Sequence, residues 1–153
     1  MCETRIIYIE NHWKKLTLTA NDQFNKKGFE NALLVYENAL SRAEILAHYH
    51  SECQRLNIPF MQVYIISCNN ISNTYKELGQ FEEAEKMLRR VIFYLLHLSN
   101  QEGVDIQILQ SELKKATLSL LDFVQNHFGK TQQEKLFQNL KSHFKDNEIA
   151  KFD

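Results

Sequence analysis

His48, His50 and Cys53 stand close together in this 153-residue chain, and each could bind a metal or serve as base or nucleophile. On a helix, His48 and His50 are two residues apart and project to different faces, so they cannot share an ion. His50 and Cys53 do share a face, yet tetrahedral zinc needs further ligands and none nearby completes the set. Neither Cys53 nor Cys68 is expected at a helix N-terminus or in a basic pocket, the settings that would lower a thiol pKa. His12 and His143 are isolated, while His97 and His127 are predicted to sit at packed faces. No G-x-S-x-G, Walker, G-x-G-x-x-G or H-E-x-x-H pattern occurs. The sequence therefore predicts no catalytic residue, no metal and no cofactor.

The asparagines are more informative. Asn69, Asn70 and Asn73 fall within five positions of one predicted helix. Asparagine is a poor mid-helix residue because its amide competes for backbone hydrogen bonds. Three of them cost that helix about 1 to 2 kcal/mol against alanine. An amide both donates and accepts, so a groove that grips a polypeptide backbone is a rational place to tolerate the cost. The competing reading is a solvated polar face. Lys14, Lys15, Lys26 and Lys27 form a modest basic edge, also best read as solvated.

Helices must position these groups. Four glycines and one proline leave uninterrupted stretches far longer than the roughly 5 to 6 residues of an average strand. An all-α fold follows. The composition, 44% hydrophobic and 24% charged, is that of an ordinary folded chain. A net charge of −1 provides no field to attract nucleic acid or an anionic membrane surface. No apolar run reaches membrane-spanning length, the longest being Val91 to Leu98. The first residues lack a signal-peptide pattern, and three cysteines without C-x-x-C spacing suggest reduced thiols. A cytoplasmic protein with a single domain over residues 1–153 is the expectation.

The breakers are evenly spaced. Gly28, Gly79 and Gly129 lie about 50 residues apart, with Pro59 and Gly103 between them. Six helices are predicted, at approximately 4–26, 29–56, 59–78, 81–99, 104–128 and 132–145, paired as hairpins 4–56, 59–99 and 104–145. A shift of 52 residues matches Ala20 with Ser72, Phe29 with Phe81, Ala32 with Ala84, Tyr36 with Leu88, Ala39 with Val91 and Leu40 with Ile92. Aligning Gly28 with Gly79 instead makes Gln80 an extra residue in the second turn. The third helix should open at Pro59, whose missing N–H costs nothing in a first turn. The fourth becomes apolar all round at Val91 to Leu96 and should be central. Thr131 and Glu134 read as a capping box for the sixth, and Lys145 to Asp153 as a frayed tail.

Leu78-Gly79-Gln80-Phe81-Glu82-Glu83-Ala84-Glu85-Lys86 resembles the turn of a tetratricopeptide repeat. Ala84 would be small because the two helices cross there, with Tyr75 and Phe81 wedging the crossing. Ser72 and Ala20 match the small position of each first helix. The period is stretched from the usual 34 to about 51 residues, and Leu16 and Cys68 hold the tryptophan-like positions. Val124 and Leu136 fall where the third unit should have small residues, so that hairpin reads as degenerate or capping.

This resemblance implies a right-handed solenoid of antiparallel hairpins with a concave groove that holds a peptide or partner helix. By register the groove comprises Lys14, Thr17, Asn21, Phe24 and Asn25, then Ile66, Asn69, Asn70, Asn73 and Lys76. Asn21 and Asn70 also match two positions of the family's carboxylate clamp, but Thr17 replaces its first lysine. The protein looks like a small bacterial adaptor or regulator, monomeric or homodimeric, with an unidentified protein or peptide partner. Two alternatives are a secretion-type chaperone gripping an apolar effector segment and self-association through Phe137 and Phe144.

Overall fold

The computed structural model describes residues 1–147. Among the described residues the chain is all-helical, with seven α-helices and no strand. They are α1 (Glu3–Asn25), α2 (Phe29–His48), α3 (His50–Arg55), α4 (Phe60–Glu77), α5 (Phe81–Leu98), α6 (Ile106–Phe128) and α7 (Lys130–Asn147). The chain divides into two compact units, Met1–Met87 and Leu88–Asp153, so the boundary falls within α5. Of the expected frayed tail, Lys145 to Asn147 are instead the last residues of α7, and residues 148–153 lie outside the described ones.

In the first unit α1 and α2 form a hairpin, and α2 packs against both α1 and α4. Its buried face alternates small and large side chains: Ala32, Tyr36, Ala39, Leu40, Ala43 and Leu46. Three alanines on one face let neighbouring backbones approach. The face of α1 turned inward carries Ile6, Ile9, Trp13, Thr17 and Ala20 at steps of three and four. The Trp13 indole donates to the Ser67 hydroxyl at 2.7 Å, and Ser67 in turn donates to the Val63 carbonyl at 2.8 Å. That relay ties α1 to α4 and satisfies both buried donors. The second crossing is equally close: Ser72 and Ala84 are fully buried, and the Ser72 hydroxyl donates to the Ala84 carbonyl at 2.9 Å.

The hairpin turns correct the alignment made on glycines. Gly79 is left-handed, at φ 74, but Gly28 is not, at φ −84. The left-handed residue of the first turn is Lys27, at φ 64. Each turn closes with the same pair of bonds: Lys27 N–H to Phe24 and Gly28 N–H to Gln23, then Gly79 N–H to Lys76 and Gln80 N–H to Tyr75. This is the Schellman closure. Lys27 therefore corresponds to Gly79 and Gly28 to Gln80, a shift of 52 with no extra residue. Gly129 differs again. At φ 97 and ψ 166 it occupies a region essentially reserved for glycine, and it alone separates α6 from α7.

Other boundaries differ from expectation for identifiable reasons. The second predicted helix is broken at Tyr49, at φ −98 and ψ 42, without any glycine or proline. There the buried Cys53 thiol donates to the Leu46 carbonyl in the turn before the break. Left-handed Asn57 then ends α3, with Ile58 N–H bonded to the Cys53 carbonyl. Pro59 is the N-cap of α4 rather than its first residue, since its carbonyl accepts from Val63 N–H. Thr131 is no cap. The Gly129 carbonyl takes the first bond of α7 from Gln133, which leaves Thr131 already inside the helix.

In the second unit α6 packs on α7. Leu109, Leu113, Thr117, Leu120 and Val124 form the buried stripe of α6, and Leu136, Leu140 and Phe144 that of α7. Phe144 is thus core, which removes it from any outer self-association face, while half-buried Phe137 carries the Lys141 ammonium 5.0 Å from its ring centre. The segment Val91 to Leu96 is not covered all round, because Phe93 is 49% exposed, with Arg90 and His97 also exposed. His127 is exposed too and lies against the Phe123 ring at 4.4 Å. Phe81 is 38% exposed and does not wedge its crossing as a buried residue would. In the first hairpin Phe24 and Phe29 do meet, edge to face at 5.1 Å.

Candidate functional site: an amide-lined cleft

Asn21, Phe24 and Asn25 share one face at the C-terminal end of α1, spaced by three and four residues. Asn70 and Asn73 are likewise three apart on α4, whose exposed strip is narrow because most of its circumference is buried. The first unit brings the two sets together. With Tyr36 of α2 they line a cleft of about 320 Å3, at the low end of the roughly 300 to 1,000 Å3 typical of ligand sites. Five of the six lining residues carry a neutral hydrogen-bonding group, and none is charged.

Two bonds hold the lining, and only one of them engages a side-chain amide. The Asn70 main-chain carbonyl accepts from the Thr74 hydroxyl at 2.7 Å, a back-bond that satisfies the buried threonine. The Tyr36 hydroxyl donates to Asn21 Oδ1 at 2.5 Å. Burial pushes the Tyr36 phenol pKa above its ordinary value, so it is a donor throughout the neutral range. Two residues beyond Asn73, burial and the nearby carboxylates of Glu37 and Glu83 hold the Tyr75 phenol up as well, and its hydroxyl donates to Glu37.

Of the predicted groove residues, Asn21, Phe24, Asn25, Asn70 and Asn73 line this cleft. Asn69 and Ile66 are exposed on α4 outside its lining, and Lys76 is half-buried there. Lys14 is exposed and paired with Glu10 at 3.8 Å. Thr17 is buried on the core side of α1, so it offers nothing to a ligand. Tyr36 was legible only as a core residue, because its position in the apolar stripe of α2 gives no hint of where the phenol ends.

The cysteine and histidine cluster takes no part. Cys53 is buried, and desolvation together with Glu10 and Glu52 pushes its thiol up to about 11, the opposite of a nucleophile's requirement. His50 lies 5.8 Å from the Phe60 ring, and His48 meets Tyr49 edge to face. Among the described residues no group of three His, Cys, Asp or Glu side chains could hold a metal ion. No described helix is long and apolar enough to cross a membrane.

No curated protein and no solved structure matches this chain. The family model that does match, a protein of unknown function (DUF2753), covers residues 11–153 and so takes in every residue of the cleft; the chain belongs to that family.

Proposed function

We propose that this protein is a non-catalytic interaction module that holds a segment of a partner polypeptide in the amide-lined cleft of its first unit. One observation carries the reading: four asparagines from two helices, each a poor helix former, converge on one concavity. Amides both donate and accept, which matches the alternating N–H and C=O groups of a backbone. The uncharged lining fits a peptide bond better than a terminal carboxylate, and its polarity fits a backbone better than an apolar effector segment. A tetratricopeptide-type repeat is part of the proposal. It is supported by the equivalent turns at Lys27 and Gly79 and by the buried small pairs Ala20/Ala32 and Ser72/Ala84. Cysteines that form no disulfide fit a cytoplasmic setting.

The test is selection of a displayed random peptide library on the immobilised protein. Enrichment on the native chain should vanish when Asn70 and Asn73 are both replaced by alanine. The melting temperature should hold or rise, because alanine is the better helix former. Equal enrichment on both proteins would remove the cleft as the binding site.

A further inference from the structure

Tyr36 is almost fully buried, at 4% exposure, yet it lines the cleft, and its hydroxyl bonds another lining residue. Asn21 Oδ1 is the partner of that hydroxyl, and no other partner exists for either side chain among the described residues. This decides the direction of the bond. If the asparagine amide donated and the phenol accepted, the phenolic proton would have no acceptor among the described residues; the part-buried bond runs the other way, from the phenol to Oδ1. With the phenol as donor, Oδ1 is consumed and the Nδ2 hydrogens are left for whatever enters the cleft.

We propose that Tyr36 is a positioning residue that fixes the Asn21 carboxamide as a hydrogen-bond donor, so that this subsite takes a neutral acceptor, the carbonyl oxygen of a bound polypeptide. The inference rests on the peptide-binding reading and deepens it by giving one end of the cleft a polarity. A free asparagine accommodates either a donor or an acceptor by flipping its amide; one held at Oδ1 accommodates only an acceptor. Burial keeps the phenol protonated, so the bias persists across the neutral range. The absence of charge in the lining selects a carbonyl over a carboxylate.

The experiment follows side-chain amide resonances of the uniformly 15N-labelled full-length protein during titration with N,N-dimethylacetamide, which accepts hydrogen bonds and cannot donate them. In the native protein the Asn21 Nδ2 protons should shift saturably. In Tyr36→Phe, which keeps the ring and loses only the hydroxyl, that shift should fall several-fold while the Asn73 amide still responds. Asn21→Asp supplies a reciprocal arm and covers the event that Tyr36→Phe does not fold. The aspartate still accepts from Tyr36 but presents an oxygen outward, so shifts of the neighbouring Asn25 amide should follow methylguanidinium instead of dimethylacetamide. An Asn21 response that is the same with and without the Tyr36 hydroxyl overturns the positioning role alone. Silence of every cleft amide in the native protein overturns both this inference and the peptide-binding reading beneath it.

Discussion

Replacing Lys27 by glycine should stabilise the protein. Lys27 sits at φ 64 in the turn between α1 and α2, where Cβ crowds the following carbonyl. A non-glycine residue pays roughly 1 to 2 kcal/mol for that conformation. Its side chain is exposed and has no partner among the described residues, so truncation forfeits little. Glycine returns roughly 0.5 to 1 kcal/mol of the gain through the greater freedom of the unfolded chain. The net expectation is about 0.5 to 1 kcal/mol, or roughly 1 to 4 °C in Tm for a chain of this size. Urea titration at fixed pH reads it as a higher midpoint with an unchanged slope. Two controls bracket the effect. Gly79→Ala meets no atom within 4 Å but must adopt φ 74, and should cost about 1 kcal/mol or more. Gly28→Ala, at φ −84 with its nearest contact an ordinary 3.4 Å, should change stability by less than about 0.5 kcal/mol. If Lys27→Gly destabilises, or Gly28→Ala costs more than Gly79→Ala, the equivalence of Lys27 and Gly79 in the two turns is refuted.

Three further outcomes are expected. Asp105 caps α6 by accepting from the N–H groups of Gln107 and Ile108 at 2.9 and 3.2 Å; Asp105→Ala should cost about 0.5 to 2 kcal/mol, whereas Asp105→Ser should largely preserve stability, both read by thermal unfolding. Gly129→Ala has room for its Cβ but not the backbone freedom for φ 97, and should destabilise by about 1 to 3 kcal/mol, measurable by amide exchange along α6 and α7. The Cys53 thiol pKa is raised from 9.0 to about 11 in the folded state. Its unfolded form ionises first as pH rises, so its contribution is fully present below 9 and is lost between 9 and 11. By linkage the loss is on the order of 2 kcal/mol, absent in Cys53→Ala when the two are compared by urea titration across that window.

The cleft's two halves differed in how legible they were. Asn70 and Asn73 stood out because asparagine inside a helix needs a reason, and Asn21, Phe24 and Asn25 were expected beside them from the register of the repeat resemblance. Thr17 followed from the same register and is buried, because register fixes the angle around a helix only to within the width of its neighbour's footprint. Tyr36 was invisible: a phenol in an apolar stripe reads as core, and only the packed helices show its hydroxyl bonded to Asn21 of the cleft. The break at Tyr49 carried no signal either, since it depends on a buried thiol and a carbonyl seven residues apart in the chain.

The scarcity of breakers and the three-and-four spacing of apolar residues determined the helices, and nearly every end fell within two residues of its predicted place. These are local properties, set by backbone freedom and side-chain periodicity. Which residue bends each turn was decided by tertiary structure, because packing of α1 on α2 can hold a lysine in a conformation that sequence reserves for glycine. The same packing joins Asn21 to Asn70 across two helices and turns one amide outward through a tyrosine from a third. Contacts between residues distant in the chain have no period to read, so they become visible only when the helices are in place.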